Sequence, residues 1–441
     1  MTAAMAMDLP PDILREILKN FSTQHVVVHN PTSFPWFLGH ICAGWRQLFL
    51  SMAMEFWGNL VIDLPAVKKK CPHSVAHFER TGEILDFCLT CNEGYPLSFS
   101  FRMRDSHFSE EYSHVTDMLD ALIKQSMRWL KVEFHLRNAE LQRLHHVKGH
   151  TLLLQSLELR RFAEDIWFDA PVKPVAERFA DTFSNSPCLA QLRLSSLSTW
   201  KFDWSTIHVL DLRSPRPTDI ENILAVLPQA TRLADLQIGT IYRSENYEGD
   251  WNMITLPCLK KLTILDKAML GTLTTPALEY LSINISDGFG HDPVEISIEA
   301  TIAAFFRRSC FPLEFLELWN VTPVVIGEVV PLFPNTLIRF ELNEYEPELL
   351  VELLNCDLPM STPPIAPRLK SLVISCMKMP HQEFITRLIA MVDSRARNPQ
   401  ADGLQDLVVC PEHTRVEVDL TALQSKCEEH NVRLTVANVI P

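Results

Sequence analysis

The chain has 441 residues, 47% of them hydrophobic and 21% charged, which is a globular composition long enough for one solenoid or two to three compact domains. Its net charge of −14 argues against a general nucleic-acid or anionic-membrane binder, because phosphate recognition needs clustered Lys and Arg. Lys68-Lys69-Lys70 is too short a run to change that. Met1 to Met7 has neither a charged n-region nor a continuous apolar stretch, so no signal peptide is expected. No run approaches the roughly 18 apolar residues of a spanning helix. The 11 cysteines are an odd number, scattered without framework spacing. They read as reduced thiols in the cytoplasm or nucleus.

In chain order, Leu9 to Leu18 reads as a short helix. Pro10 or Pro11 suits its first turn, where a missing N–H costs nothing, and Asp12 sits near the positive end of the helix dipole. Ile13, Leu14, Ile17, Leu18 and Phe21 share one half of it at 3.6-residue spacing. A long loop, Ser22 to Phe34, follows. Leu38, Ile41, Cys42, Trp45, Leu48 and Phe49 make a second stripe, in a helix that Gly39 and Gly44 weaken by about 1 kcal/mol each. Leu60 to Leu64 predicts a strand, 66–79 a partly helical connector and Gly82 to Thr90 a helix. Tyr95 to Phe101 predicts a strand and Thr116 to Gln125 an amphipathic helix.

From there the pattern apolar-x-x-apolar-x-apolar recurs. It starts at Leu154, Leu189, Ile207, Leu233, Leu259, Leu278, Leu313, Leu337, Leu369 and Leu404, with a weaker copy at Met127. The starts lie about 28 residues apart on average, within the range of leucine-rich repeats. Each copy puts two apolar side chains, such as Leu157 and Leu159, on one face of a short strand that cannot bury that face alone. Helix-like stretches at Val175–Phe183, Ile220–Leu227, Ile298–Arg308 and Glu383–Ser394 would cover the outer side. Phe162, Leu197, Val321 and Met377 stand where such repeats usually carry a turn-tying Asn or Cys. An irregular arc without a continuous asparagine ladder is therefore expected.

Strand alternation sends the third, fifth and seventh positions of each copy to the concave face. The third positions Lys261, Tyr280, Phe315 and Arg339 should line up in a row, with Trp319 at a seventh position on the same face. Aromatic side chains flanked by cations suit a protein-binding surface, here for an unknown target protein, or could simply pack under a loop.

Other constellations carry little chemistry. Cys88-x-x-Cys91 with Cys71 and His73 upstream could be drawn as a zinc site, but the spacing is short and Cys88 falls on an apolar face. His145, His146 and His150 lack a further ligand at motif spacing. Gly288-Phe289-Gly290 is no phosphate loop, and no nucleophile elbow or His-Glu-x-x-His is present. Neither an enzyme nor a metal or other cofactor is expected.

Leu9-Pro10 with its Ile/Leu-rich helix, then Cys42-Ala43-Gly44-Trp45-Arg46, then Trp57-Gly58-Asn59-Leu60 together resemble an F-box. The repeats at 255–266, 270–284, 305–322 and 391–409, and the segment 88–101, resemble those of the large F-box/leucine-rich-repeat families of mushroom-forming fungi. The resemblance implies an α/β chain. Residues 1–63 would be an all-helical F-box and residues 64–441 a leucine-rich-repeat-like, target-binding solenoid. It implies a non-catalytic substrate receptor that docks a Skp-type adaptor and through it a cullin-RING ubiquitin ligase. Leu9, Pro10, Ile13, Leu14, Ile17, Leu18, Cys42, Trp45, Leu48 and Trp57 would touch the adaptor, unless they are buried against the first repeats. A scaffold with a degenerate F-box working outside a ligase, and a hydrolase with an unrecognised site, are the alternatives.

Overall fold

The structure is a computed structural model. It describes residues 9–20, 25–30, 36–52, 56–64, 72–103, 113–161, 179–195, 197, 200–212, 219–239, 252–265, 267–284, 298–320, 323–333, 335–344, 348–356, 364–376, 382–411 and 419–436. The chain forms two compact units, Met1–Ile207 and His208–Pro441.

The first unit begins with helix α1 (Pro11–Lys19), strand β1 (Val26–Val27), a 3₁₀ turn (Trp36–His40) and helix α2 (Ala43–Ser51). Pro11 takes the first helical position of α1 and Asp12 its first turn. The following strands are β2 (Asn59–Leu64), β3 (Leu97–Met103), β4 (Trp129–Leu136), β5 (Ser156–Arg161) and β6 (Gln191–Leu194). All pair in parallel, in chain order, from β1 onward. Parallel neighbours need crossover connections. Here α3 (Pro72–Cys91), α4 (Ser113–Ile123) and α5 (Asn138–Arg143) join β2 to β5 in turn.

The second unit repeats the plan. Strands β7 (Val209–Leu212), β8 (Asp235–Ile238), β10 (Lys261–Ile264), β12 (Tyr280–Asn284), β13 (Phe315–Trp319), β14 (Arg339–Glu344), β15 (Ser371–Cys376), β16 (Asp406–Pro411) and β17 (Arg433–Val436) pair in parallel in that order. The short β9 (Ile254–Thr255) and β11 (Leu273–Thr274) pair separately. Between sheet strands run α6 (Ile220–Val226), α7 (Lys267–Thr272), α8 (Ile298–Ser309), α9 (Pro323–Val329), α10 (Glu348–Leu354), α11 (Gln382–Arg397) and α12 (Thr421–Glu429). Long parallel pairing with a helix after most strands is compatible with a repeat solenoid.

The repeat pattern explains the core. In all ten strong copies the three apolar positions are buried, none above 4% exposed. Equivalent positions meet across the ladders, as Leu262↔Leu281, Leu281↔Leu316 and Leu316↔Phe340 do. The weak copy has a different phase from the expected one. Met127 is exposed, and Val132 and Phe134 pair with Leu157 and Leu159. The copy is therefore Trp129-x-x-Val132-x-Phe134. Trp129 is fully buried and donates its Nε1–H to the Leu122 carbonyl at 3.1 Å.

Three further departures have physical causes. Within the long loop of the N-terminal segment, β1 pairs with β2, so this segment is not all-helical. The second apolar stripe is broken rather than one helix. Cys42 is extended (φ −160°) and its Sγ accepts from the Trp45 N–H, capping α2 where the 3₁₀ turn ends. The expected helix at Val175–Phe183 lies outside the described residues up to 178, and Phe179 onward is a turn.

In place of a continuous asparagine ladder, arginines tie neighbouring repeats. Arg308 on α8 donates to the Leu270 and Leu273 carbonyls at 2.9–3.2 Å. Arg395 on α11 is fully buried and donates to the carbonyls of Ile365 (3.1 Å) and Ala366 (2.7 Å). Ala366 has φ 47°, in the left-handed region. A short asparagine series does exist at the ends of β12–β14. There the Asn320 side chain donates to Asn284 Oδ1 (2.9 Å) and its backbone N–H to the Asn343 carbonyl (2.9 Å).

Candidate interaction surfaces

The apolar half of α1 faces two ways. Leu14 and Leu18 are buried, at 7% and 0% exposure, whereas Ile13 and Ile17 remain exposed. The helix packs on α2, and only its inner half is consumed by that contact. Leu9, Cys42, Trp45 and Leu48 are half-buried and Pro10 is exposed. Phe21 lies outside the described residues. Phe37, Ile41 and Leu50, absent from the expected contact set, are exposed as well. Their signal was their neighbours. Leu38 and Phe49 fill the inside, which turns the adjacent apolar residues outward.

Trp57 is a core residue. Its ring lies 4.8 Å from Phe49, 5.2 Å from Trp36 and 5.5 Å from Phe87, centroid to centroid, and it is fully buried. It holds the first position of a repeat the sequence pattern did not reveal, Trp57-x-x-Leu60-x-Ile62, all three residues fully buried.

The second surface is the exposed side of the sheet in the second unit. Lys261, Tyr280, Phe315 and Arg339 are consecutive register partners, as the repeat phase predicts. They form a ladder of ring and cation contacts. Lys261 Nζ is 5.1 Å from the Tyr280 centroid, the Tyr280 and Phe315 rings meet edge-on at 4.6 Å, and the Arg339 guanidinium is 5.0 Å from Phe315. Next to this row stand Ser282, Glu317 and Glu341, then Asn284, Trp319 and Asn343. Tyr280 donates to Glu317 at 2.7 Å. Burial first, and that hydrogen bond second, push the phenol upward, so it stays protonated. Arg339 donates from Nε to Glu341 at 2.9 Å. The half-buried Trp319 side chain makes no ring contact or hydrogen bond with a described residue. Beside it, Asn343 Oδ1 is buried and has no partner among the described residues.

On the first unit's sheet a charged network crosses β3–β6. Glu133 receives Arg102 at 2.8 and 3.1 Å and has His135 Nε2 at 2.9 Å, and Glu158 pairs with Arg160 and with Arg193 at 3.5 Å. Burial opposes ionisation of Glu133, but the adjacent His135 ring and the hydrogen bonds from Arg102 outweigh it and hold the carboxyl well below the usual range. Glu133, His135 and Glu158 bring ligand atoms within 4.8 Å of one another. Each carboxylate already accepts a guanidinium, so arginine supplies the positive charge there. Asp393, Glu429 and His430 form a similar group, and Asp393 takes Lys426 at 2.7 Å and His430 at 3.0 Å.

Of the zinc set drawn from the sequence, Cys71 and the His73 side chain lie outside what the structure describes. Cys88 and Cys91 lie on the last turns of α3. Burial, and secondarily Cys91, push the Cys88 thiol far up, so it stays protonated in this helix. His145 and His146 stack at 3.7 Å, and His150 approaches Met127 Sδ. Among the described residues these three histidines join no group of three ligand atoms. No described helix is long and apolar enough to cross a membrane.

No protein-family profile matches the chain, and no curated protein matches it. A solved protein from Bacteroides fragilis is similar over 84% of this chain and 85% of its own, at 11% identity and a TM-score of 0.32, a likeness too slight to carry an argument.

Proposed function

We propose that the chain is a non-catalytic substrate receptor. Its N-terminal segment docks a Skp-type adaptor of a cullin-RING ubiquitin ligase, and its repeats hold a target protein. The supporting observation is the outward apolar side of that segment: Ile13, Ile17, Phe37, Ile41 and Leu50, all exposed within the first fifty residues. Single exposed apolar residues are ordinary, but several on α1, the 3₁₀ turn with Ile41 after it, and α2 suit an interface. Leu9, Pro10, Cys42, Trp45 and Leu48 flank them. Leu14, Leu18 and Trp57 act by holding the segment together. The charge, the motif set and the free thiols of nine cysteines fit work by positioning, in the cytoplasm or nucleus, with no cofactor.

Co-expression with a Skp-type adaptor tests this reading. A stoichiometric complex surviving gel filtration is expected, and a chain that elutes alone at micromolar concentration refutes it. In that event the repeats serve as an interaction scaffold outside a ligase, the reading favoured by the aromatic ladder alone.

A further inference from the structure

Glu317 differs from Glu341, Asp235 and Asp406 on the same face. Glu341 is held by Arg339, Asp235 lies 3.8 Å from Lys261, and Asp406 is held by Arg433. Glu317 has only the neutral phenol of Tyr280, and no described cation pairs with it. It stands between Phe315 and Trp319 on the same side of β13, with about 6.7 Å to each neighbour along the strand. Tyr280 stands beside Phe315 in the adjacent strand.

Aromatic faces attract cations, indole most strongly. This sheet already uses the effect twice, with Lys261 over Tyr280 and Arg339 over Phe315. The third ring, Trp319, has no cation and no ring partner among the described residues. Asn284 and Asn343 are its register neighbours, one on either side; Asn284 Oδ1 already accepts from Asn320, and Asn343 Oδ1 is buried. The surface thus offers one carboxylate that no described cation pairs with and one indole face that no described ring or cation covers. The net charge of −14 favours the approach of a basic partner.

We propose that Glu317 and Trp319 receive a basic side chain, the lysine or arginine of an extended segment of the bound target protein. The carboxylate accepts the cationic N–H groups, and Trp319 covers the aliphatic stem and the charge. This rests on the reading that the repeats hold a target, and it defines which targets they hold.

The test uses the full chain and a positional-scanning library of synthetic nine-residue peptides with one position fixed as Lys, Arg, norleucine or Glu. A charge-assisted hydrogen bond predicts that the wild type retains the Lys or Arg pool about tenfold or more over the norleucine pool. Glu317→Gln should bring that ratio to within about twofold, and Trp319→Leu should lower it severalfold, both with unchanged melting temperature. Equal retention of the basic and norleucine pools, preference for the Glu pool, or a basic preference that survives both substitutions overturns the inference. Adaptor capture is measured on the same preparations. Its loss with basic preference intact removes the ligase reading alone. Its retention with no basic preference removes this inference alone.

Discussion

The two halves of α1's apolar surface should respond oppositely to substitution. Ile13 and Ile17 are 50% and 36% exposed, whereas Leu14 and Leu18 are 7% and 0%. Fully burying an isoleucine is worth about 1.5–3 kcal/mol, so an adaptor covering the remaining exposed fractions gains about 1.3–2.6 kcal/mol from the pair. Ile13→Ala with Ile17→Ala should weaken adaptor binding by about ten- to eightyfold. The chain's own stability should hold or rise slightly, since Ala is the better helix former at exposed sites. Ile13→Asp with Ile17→Asp should abolish binding, because an interface must then desolvate two carboxylates. Leu18→Asp is the contrast: it buries a charge without a partner inside this chain and should lower the melting temperature before any adaptor is added. Isothermal titration with purified adaptor, alongside thermal melts of each variant, reads all four outcomes. Adaptor affinity unchanged in both double variants would refute the reasoning. So would a fall in melting temperature for the Asp pair as large as that for Leu18→Asp.

Arg395→Met should cost about 2–5 kcal/mol, because the carbonyls of Ile365 and Ala366 lose charge-assisted donors in a buried turn. Removing Arg387, which pairs with Glu352 and Glu383 at the surface, should cost far less than the Arg395 change. Urea unfolding of the two variants side by side checks both, and equal midpoints would contradict the role given to Arg395. The depressed Glu133 carboxyl contributes stability that is fully present above the ordinary carboxylate range of about 4.3 and is lost as pH falls toward its lower folded value. The melting-temperature gap between wild type and Glu133→Gln should therefore be widest near neutrality and close on acidification; a gap independent of pH counts against the network. Native thiol labelling should be fast at the exposed Cys188, Cys258 and Cys310 and slow at the buried Cys88 and Cys427. Labelling after denaturation without reductant should reach all 11 cysteines, and a shortfall would reveal disulfides.

The repeat phase was legible because one physical demand, two apolar side chains on the buried side of each strand, recurs at every copy. That phase also placed Lys261, Tyr280, Phe315 and Arg339 side by side. It failed where the apolar period offers two answers. Met127 and Leu130 satisfy the pattern as well as Trp129 and Val132 do, and only the pairing with β5 decides between them. The same ambiguity hid the outward isoleucines of α1, since Ile13 and Leu14 are equally apolar and the α2 contact chooses which is buried. Arg308 and Arg395 were illegible for another reason. A guanidinium reaches carbonyls more than twenty-five residues away, and no local spacing announces that.

Trp57 belongs at once to the segment that carries the exposed isoleucines and to the first strand repeat. A cut after residue 63 would sever β2 before its last residue, Leu64, and strip the indole's surroundings of the sheet partner β3. Grafting residues 1–63 onto another protein would leave Leu60 and Ile62 facing water and should yield an insoluble or molten fragment. A transplantable unit must extend through β3 and α3 at least. Engineers seeking to alter the aromatic ladder should exchange strands within the second unit and leave residues 9–103 whole.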